Sequence, residues 1–194
     1  MPKFRITHAA LVAALTGLLL VGIIPAGQAR VRYAADTRGD TMTYDVGRGI
    51  WQATPTNKDG DLLGVRVSNA RKAVVVTLTF AKLVPSAPTV RSAQYTVNVA
   101  TPGGGTLSTM ADYAQAPSNP VTTSGAGGQV VCSPKATWIF GDNKLRLRFP
   151  NHCFTNRSRV WVSASSRILT DRHDGEFHRM ISDTAYSRGG VSRR

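Results

Sequence analysis

This sequence has little of what is typical of nucleic-acid-binding, helical or membrane-spanning proteins. Aromatic residues make up only 7% of it and are not interleaved with the arginines, so no stacking platform for nucleic acid is evident. After residue 29, no stretch repeats apolar residues at helical spacing, and none is long and apolar enough to span a bilayer. We therefore expect a β-rich chain that has no specific nucleic-acid partner.

Motifs for nucleophilic catalysis are also missing. No Gly-x-Ser-x-Gly is present, and only His152, His173 and His178 occur after residue 29. His152 is next to Cys153, but a disulfide would remove the reactive thiolate of that cysteine. Ten of the 11 acidic residues are Asp, and most of them lie near predicted turns. We expect no catalytic residues and no cofactor.

The two cysteines mark the clearest structural signal in the chain. A two-residue turn at positions 142–143 would pair Trp138 with Leu147 and place Cys132 opposite Cys153, on the apolar side of one hairpin. This placement favours one disulfide over a metal-binding or nucleophilic role. The other side of the hairpin would carry Lys135, Thr137, Ile139, Arg146 and Arg148.

A second hairpin is predicted earlier in the chain. A turn at positions 70–71 would pair Val67 with Val74 and Leu63 with Leu78, so that apolar residues face apolar residues. Tyr95, Val97 and Val99 indicate another strand, as do Val160, Val162 and Ala164. Residues 30–40 and 114–128 are expected to form loops, and Trp51 is expected to be a lone apolar anchor.

These segments predict one exported domain. Residues 1–29 resemble a signal peptide, with Lys3 and Arg5 before an apolar run and small residues before a cut at Arg30. Any membrane contact would be through the uncleaved signal segment. Residues 30–194 are expected to form a single antiparallel β-sandwich, immunoglobulin-like or jelly-roll-like, with an irregular barrel as the alternative.

Several motifs carry a resemblance to a known group. A Gly-Asp element is followed by Asp61-Leu62 and a Val-rich hairpin that ends in Phe80-Ala81-Lys82-Leu83. Later come a cysteine, an Asp-containing turn, a strand of alternating Arg and Leu, and Pro-x-x-Cys at 150–153. In these motifs the chain resembles a group of small secreted β-sandwich proteins of actinomycetes. The resemblance implies a β-sandwich and an exported protein, and it implies no activity or catalytic residue.

An excess of positive charge favours anionic partners. Two of the 24 basic residues lie in the signal segment, which leaves 22 basic and 11 acidic residues and a net charge of +11. Residues 130–172 hold eight of these basic residues and only two acidic ones. We predict a non-catalytic binding or interaction module for anionic wall or surface polymers, with Arg146, Arg148, Arg157 and Arg159 as binding residues. The alternative is that the positive charge serves only to keep the protein soluble.

Other functions stay open from the sequence. His173, Asp174, Glu176 and His178 could hold a metal ion in a secreted hydrolase, although their spacing matches no recognised metal motif. The segment 57–61 resembles part of a calcium loop, but the Asx side chains there are also typical of a turn. A structural subunit that pairs through an exposed sheet edge is a third possibility.

Overall fold

Two antiparallel β-sheets pack face to face. The computed structural model describes residues 30–45, 48–85, 90–103, 105–113, 121–124, 130–171, 178–186 and 190–193. In spatial order, the smaller sheet consists of β1 (Arg30–Ala35), β4 (Leu62–Ala70), β5 (Ala73–Phe80), β11 (Lys144–Pro150) and β10 (Lys135–Ile139).

The larger sheet has nine strands. Its spatial order is β3 (Ile50–Ala53), β2 (Met42–Asp45), β13 (His178–Tyr186), β12 (Arg159–Asp171), β6 (Val90–Ala100), β7 (Thr106–Asp112), β8 (Val121–Ser124) and β9 (Val130–Cys132), and the short β14 (Val191–Ser192) pairs with β12. The predicted antiparallel β-sandwich is confirmed. The described part of the chain contains no helix with the length and hydrophobicity needed to cross a membrane.

Alternating apolar residues from both sheets form one core. Val74, Val76 and Leu78 of β5 are fully buried, and so are Tyr95 and Val97 of β6. The side chain of the residue after each of these points to the opposite face, because successive residues of a strand point to opposite sides of the sheet. The predicted alternation therefore places these residues correctly, and one hydrophobic cluster joins the two sheets.

The central hairpin has the predicted faces but a different register. Trp138 pairs with Leu145 rather than Leu147, because four residues and not two connect the strands. Phe140–Asp142 forms a 3-10 turn, and Asn143 closes it in the left-handed conformation at φ 52°. The Asn143 amide side chain also accepts a hydrogen bond from the backbone N–H of Leu83, at 3.0 Å. A shift of two residues leaves every side chain on its predicted face.

The register of the first hairpin also differs by two positions. Its turn lies at Arg71 and Lys72, so that Val67 pairs with Val76. A bulge between Leu62 and Gly64 then reverses the alternation at the start of β4. Leu62 is consequently fully buried, whereas the predicted core residue Leu63 is only half-buried.

The predicted disulfide between Cys132 and Cys153 is confirmed, but its setting differs from the prediction. Cys132 ends β9, where it pairs with Thr122 in the larger sheet. Cys153 lies in a 3-10 turn, Asn151–Cys153, directly after β11 of the smaller sheet. The bond therefore links the two sheets and does not close the mouth of a single hairpin.

Three expectations for loops and anchors are wrong. Residues 30–35 form β1, at the edge of the smaller sheet, and β8 lies inside the predicted loop 114–128. The rest of that loop, residues 114–120 and 125–128, lies outside the described residues. Trp51 is not a core anchor: it is 48% exposed on β3 and packs against Tyr44, with the ring centroids 5.1 Å apart.

Candidate functional site

A shallow groove crosses the outer face of the smaller sheet. Its floor is β5, whose outward-facing Val75, Thr77 and Thr79 are half-buried and short. Longer side chains on the neighbouring strands flank this floor, including Arg66 on β4 and Arg146 on β11. The groove has a volume of about 490 Å³ and is lined by Val31, Tyr33, Arg66, Ser68, Val75, Thr77, Thr79, Lys144 and Arg146.

Two arginines flank the middle of this groove. Arg66 and Arg146 are both register partners of Thr77, one from each neighbouring strand. Because adjacent strands are about 4.8 Å apart, the α-carbons of the two arginines are separated by about 10 Å. Both side chains are exposed, and the short threonine between them leaves the space above it open.

A row of basic side chains continues along β11. Lys144, Arg146 and Arg148 alternate with two fully buried leucines, so all three point outward at intervals of about 7 Å. Lys135 of β10 is the register partner of Arg148 and is also exposed. Arg146, Arg148 and Lys135 thus share the outer face on which the sequence places them.

The groove carries little compensating negative charge. None of the nine described residues that line it is acidic. Lys144 forms an ion pair with Asp142 at 3.2 Å, but the Asp142 side chain is 60% exposed and the Lys144 side chain 38%. An exposed pair of this kind contributes little and is screened by salt. The groove therefore offers an anion a net positive and accessible surface.

Tyr33 forms one wall of the groove and depends on a glycine. Its hydroxyl donates a hydrogen bond to the backbone oxygen of Leu63, at 3.2 Å. The ring lies so close to Gly64 that a β-carbon at that position would be only 2.5 Å from the tyrosine oxygen. Gly64 thus allows the tyrosine to lie against β4 and to fix the width of the groove on that side.

Arg157 does not belong to this face. It is only 5% exposed, and its guanidinium donates to the backbone oxygens of Ala70 and Arg71 at the turn between β4 and β5. Burial lowers the pKa of Arg157, and the positive charge of Arg193 lowers it further. The sequence pattern could not show this, because the residue follows the second cysteine in a segment without alternation.

Arg159 lies on the opposite side of the sandwich. It starts β12 in the larger sheet, and its guanidinium is 5.6 Å from the ring centre of Trp161 on the same strand. The structure therefore distributes the four predicted arginines over three places. Arg146 and Arg148 share the groove face, Arg157 is buried at one end of the sandwich, and Arg159 is on the far sheet.

No protein-family model, curated protein or solved structure matches the chain.

The candidate metal ligands fall mostly outside the described residues. This applies to His173, Asp174 and Glu176, and to the side chain of His178, whose backbone begins β13. Elsewhere in the described ranges, no group of three or more His, Cys, Asp or Glu residues is arranged to hold a metal ion.

The segment that resembles a calcium loop is a turn. The Asn57 side chain accepts a hydrogen bond from the backbone N–H of Asp59, at 3.0 Å, which is the contact that defines an Asx turn. The Asp59 carboxylate forms an ion pair with Lys82 at 2.7 Å. Both Asp61 oxygens accept from the backbone N–H of Gly39, at 3.2 Å. Each of these side-chain oxygen groups is thus engaged by the protein itself.

Two carboxyl groups near this turn have a raised pKa. Burial raises the pKa of Asp61 above its ordinary value, and the hydrogen bond from Gly39 partly offsets that effect. Burial likewise raises the pKa of Asp36, and the nearby charges of Asp40 and Asp61 add to the increase. These acids do not line the groove on the smaller sheet. They therefore do not neutralise its basic side chains by direct contact.

Sequence reasoning missed Arg66 and Tyr33 as members of the site. The available signal for Arg66 was its position between Val65 and Val67, which places it on the outer face of β4. No local signal shows that β5 lies beside β11, a strand more than 60 residues later in the chain. That long-range pairing brings Arg66 and Arg146 to one groove.

Proposed function

We propose that this chain is an exported, non-catalytic module that binds anionic polymers of the cell wall or cell surface in the groove on the smaller sheet. The observation that carries the proposal is the pair Arg66 and Arg146 on either side of Thr77, in a groove with no acidic lining residue. Arginine guanidinium groups suit this role because they bind phosphate and carboxylate oxygens through two parallel hydrogen bonds.

The shape of the site favours a polymer over a small ligand. The groove is open and shallow, and exposed charge contacts are individually weak in water. A ligand with one anionic group per repeat would meet several basic residues at once, along β11 and across to Arg66. Many weak contacts then add up to useful affinity, with a strong dependence on salt.

An extracytoplasmic location is part of the proposal. It is supported by the disulfide between Cys132 and Cys153, because such bonds persist in oxidising compartments. The signal-like character of residues 1–29 points the same way. Outside the cytoplasmic membrane, the strongly basic chain would meet the anionic polymers of a wall or surface.

Removal of the facing arginines tests the proposal. We expect the double variant Arg66→Ser with Arg146→Ser to bind long-chain polyphosphate about 30-fold more weakly than the unaltered protein. This estimate takes roughly 1 kcal/mol for each basic residue at an anionic surface. Fluorescence anisotropy with labelled polyphosphate at several NaCl concentrations measures both the affinity and its salt dependence, which should also become less steep.

A charge-matched variant distinguishes binding in the groove from attraction of polyphosphate by the total charge of the protein. Arg48→Ser with Arg167→Ser removes the same charge from exposed positions outside the groove, beside β3 and on β12 of the larger sheet. It should bind polyphosphate nearly as well as the unaltered protein does. Equal weakening in the two double variants would mean that total charge, and not the groove, determines binding, and the proposal would then be wrong.

A further inference from the structure

A second cavity lies at one end of the sandwich, away from the floor of the groove. It has a volume of about 680 Å³. The turn between β4 and β5 contributes Arg71, the segment after the disulfide contributes residues 154–158, and the C-terminal end of the chain contributes Arg193. None of the described residues that line it is acidic.

The deepest of these basic residues is Arg157. It is 5% exposed, and its Nη1 donates to the backbone oxygen of Ala70 at 2.6 Å and to the Asn69 side-chain oxygen at 3.5 Å. Its Nη2 donates to the backbone oxygen of Arg71. A guanidinium has five N–H donors, so these contacts leave two N–H groups for another acceptor.

In the part of the chain that the structure describes, no carboxylate balances the charge of Arg157. Among the described residues it forms no ion pair, and only neutral oxygens accept its hydrogen bonds. A buried charge is ordinarily paired with an opposite charge, because transfer out of water is unfavourable. Here the other charged side chains that line the cavity, Arg71 and Arg193, are both positive.

The rim also provides neutral hydrogen-bond donors, because Thr155 and Ser158 carry hydroxyl groups. The Asn156 side-chain oxygen accepts a hydrogen bond from the backbone N–H of Ser158, at 3.0 Å. Hydroxyl groups and arginines together are the donor set with which proteins commonly bind tetrahedral oxyanions.

We infer that this cavity binds a phosphate or sulfate group, free or at the end of a larger molecule, between Arg71, Arg157 and Arg193. The oxyanion would accept hydrogen bonds from the two remaining N–H groups of Arg157 and offset much of the positive charge of the three arginines. The site is separate from the groove and differs from it because one of its arginines, Arg157, is nearly buried, whereas both groove arginines are exposed.

Binding of inorganic phosphate to the mature protein tests this inference. Differential scanning fluorimetry should show a saturable rise in Tm with phosphate or sulfate that chloride at the same ionic strength does not reproduce. Comparison with glycerol 3-phosphate shows whether the site prefers a free phosphate ion or a terminal phosphate ester. Tighter binding of glycerol 3-phosphate than of inorganic phosphate would indicate a terminal ester, and the reverse would indicate the free ion. Absence of a saturable effect with all three anions would overturn the inference.

Two variants locate the binding without disturbing the buried arginine. Arg71→Ser with Arg193→Ser keeps Arg157 in place and should weaken phosphate binding roughly tenfold or more, because two charge-assisted contacts are lost. Arg66→Ser with Arg146→Ser, which alters only the groove, should leave phosphate binding unchanged. Unaltered phosphate binding in the first variant would show that the cavity is not the site. Because the groove is tested with polyphosphate and the cavity with single anions, either proposal can fail without the other.

Discussion

Replacement of Tyr95 by Ala is expected to lower the free energy of unfolding by about 3–5 kcal/mol, the range measured when a large buried aromatic side chain is truncated. The ring is fully buried and meets the rings of Phe80 and Trp138 edge to face, with centroids 5.0 and 5.6 Å away. Its hydroxyl donates to the backbone oxygen of Val84 at 2.9 Å and accepts from the N–H of the same residue at 3.2 Å. Urea denaturation followed by tryptophan fluorescence measures the loss.

Two control variants divide this effect into its parts. Tyr95→Phe removes only the hydroxyl and should cost about 1–3 kcal/mol, because the buried polar groups of Val84 lose their partner. Tyr113→Ala removes an aromatic ring that is 38% exposed and touches Trp138, and it should cost less than Tyr95→Ala. A loss below about 1 kcal/mol for Tyr95→Ala would contradict the position of this residue in the core.

Removal of the disulfide is the second large effect. Cys132→Ala with Cys153→Ala should destabilise the protein by about 3 kcal/mol, because the bond closes a loop across a sequence separation of 21 residues. The bond also joins β9 of the larger sheet to the turn after β11 of the smaller one. Urea denaturation of the variant and of the oxidised unaltered protein gives the difference.

Reduction of the unaltered protein provides the matched control. Its stability under dithiothreitol should fall to nearly that of the double alanine variant, because both lack the covalent link. If reduction and substitution leave the urea midpoint unchanged, the bond does not constrain the two sheets, and the arrangement described at β9 is wrong.

The sandwich itself could be predicted because period-two alternation is a local property of the sequence. Val65 and Val67 in β4 are separated by Arg66, and Val76, Leu78 and Phe80 in β5 alternate with Thr77 and Thr79. Burial of one face then follows directly. The registers could not be predicted as well, because they depend on turn length. Asn143 adopts a left-handed conformation and extends the central turn to four residues, which slides each pair by two positions.

The candidate site could be predicted only in part, because long-range strand order decides it. The outward positions of Arg146 and Arg148 follow from alternation along β11. Arg66 joins them because β5 lies between β4 and β11, and the pairing of β5 with β11 is long-range, with no local turn between these two strands. Arg157 departs from the prediction for a different reason. It lies in an irregular segment, and burial there is determined by the oxygens of the β4–β5 turn.

We propose that a polyanion lies in the groove on the smaller sheet and is not simply attracted to a basic protein. Amide chemical-shift mapping of ¹⁵N-labelled protein comprising residues 30–194, during titration with polyphosphate, is the most direct test. We predict that the largest shifts occur at Arg66, Thr77 and Arg146, and that Trp161 and Arg167 on the far sheet change little. Shifts of similar size on both outer faces, or shifts confined to the larger sheet, would contradict it.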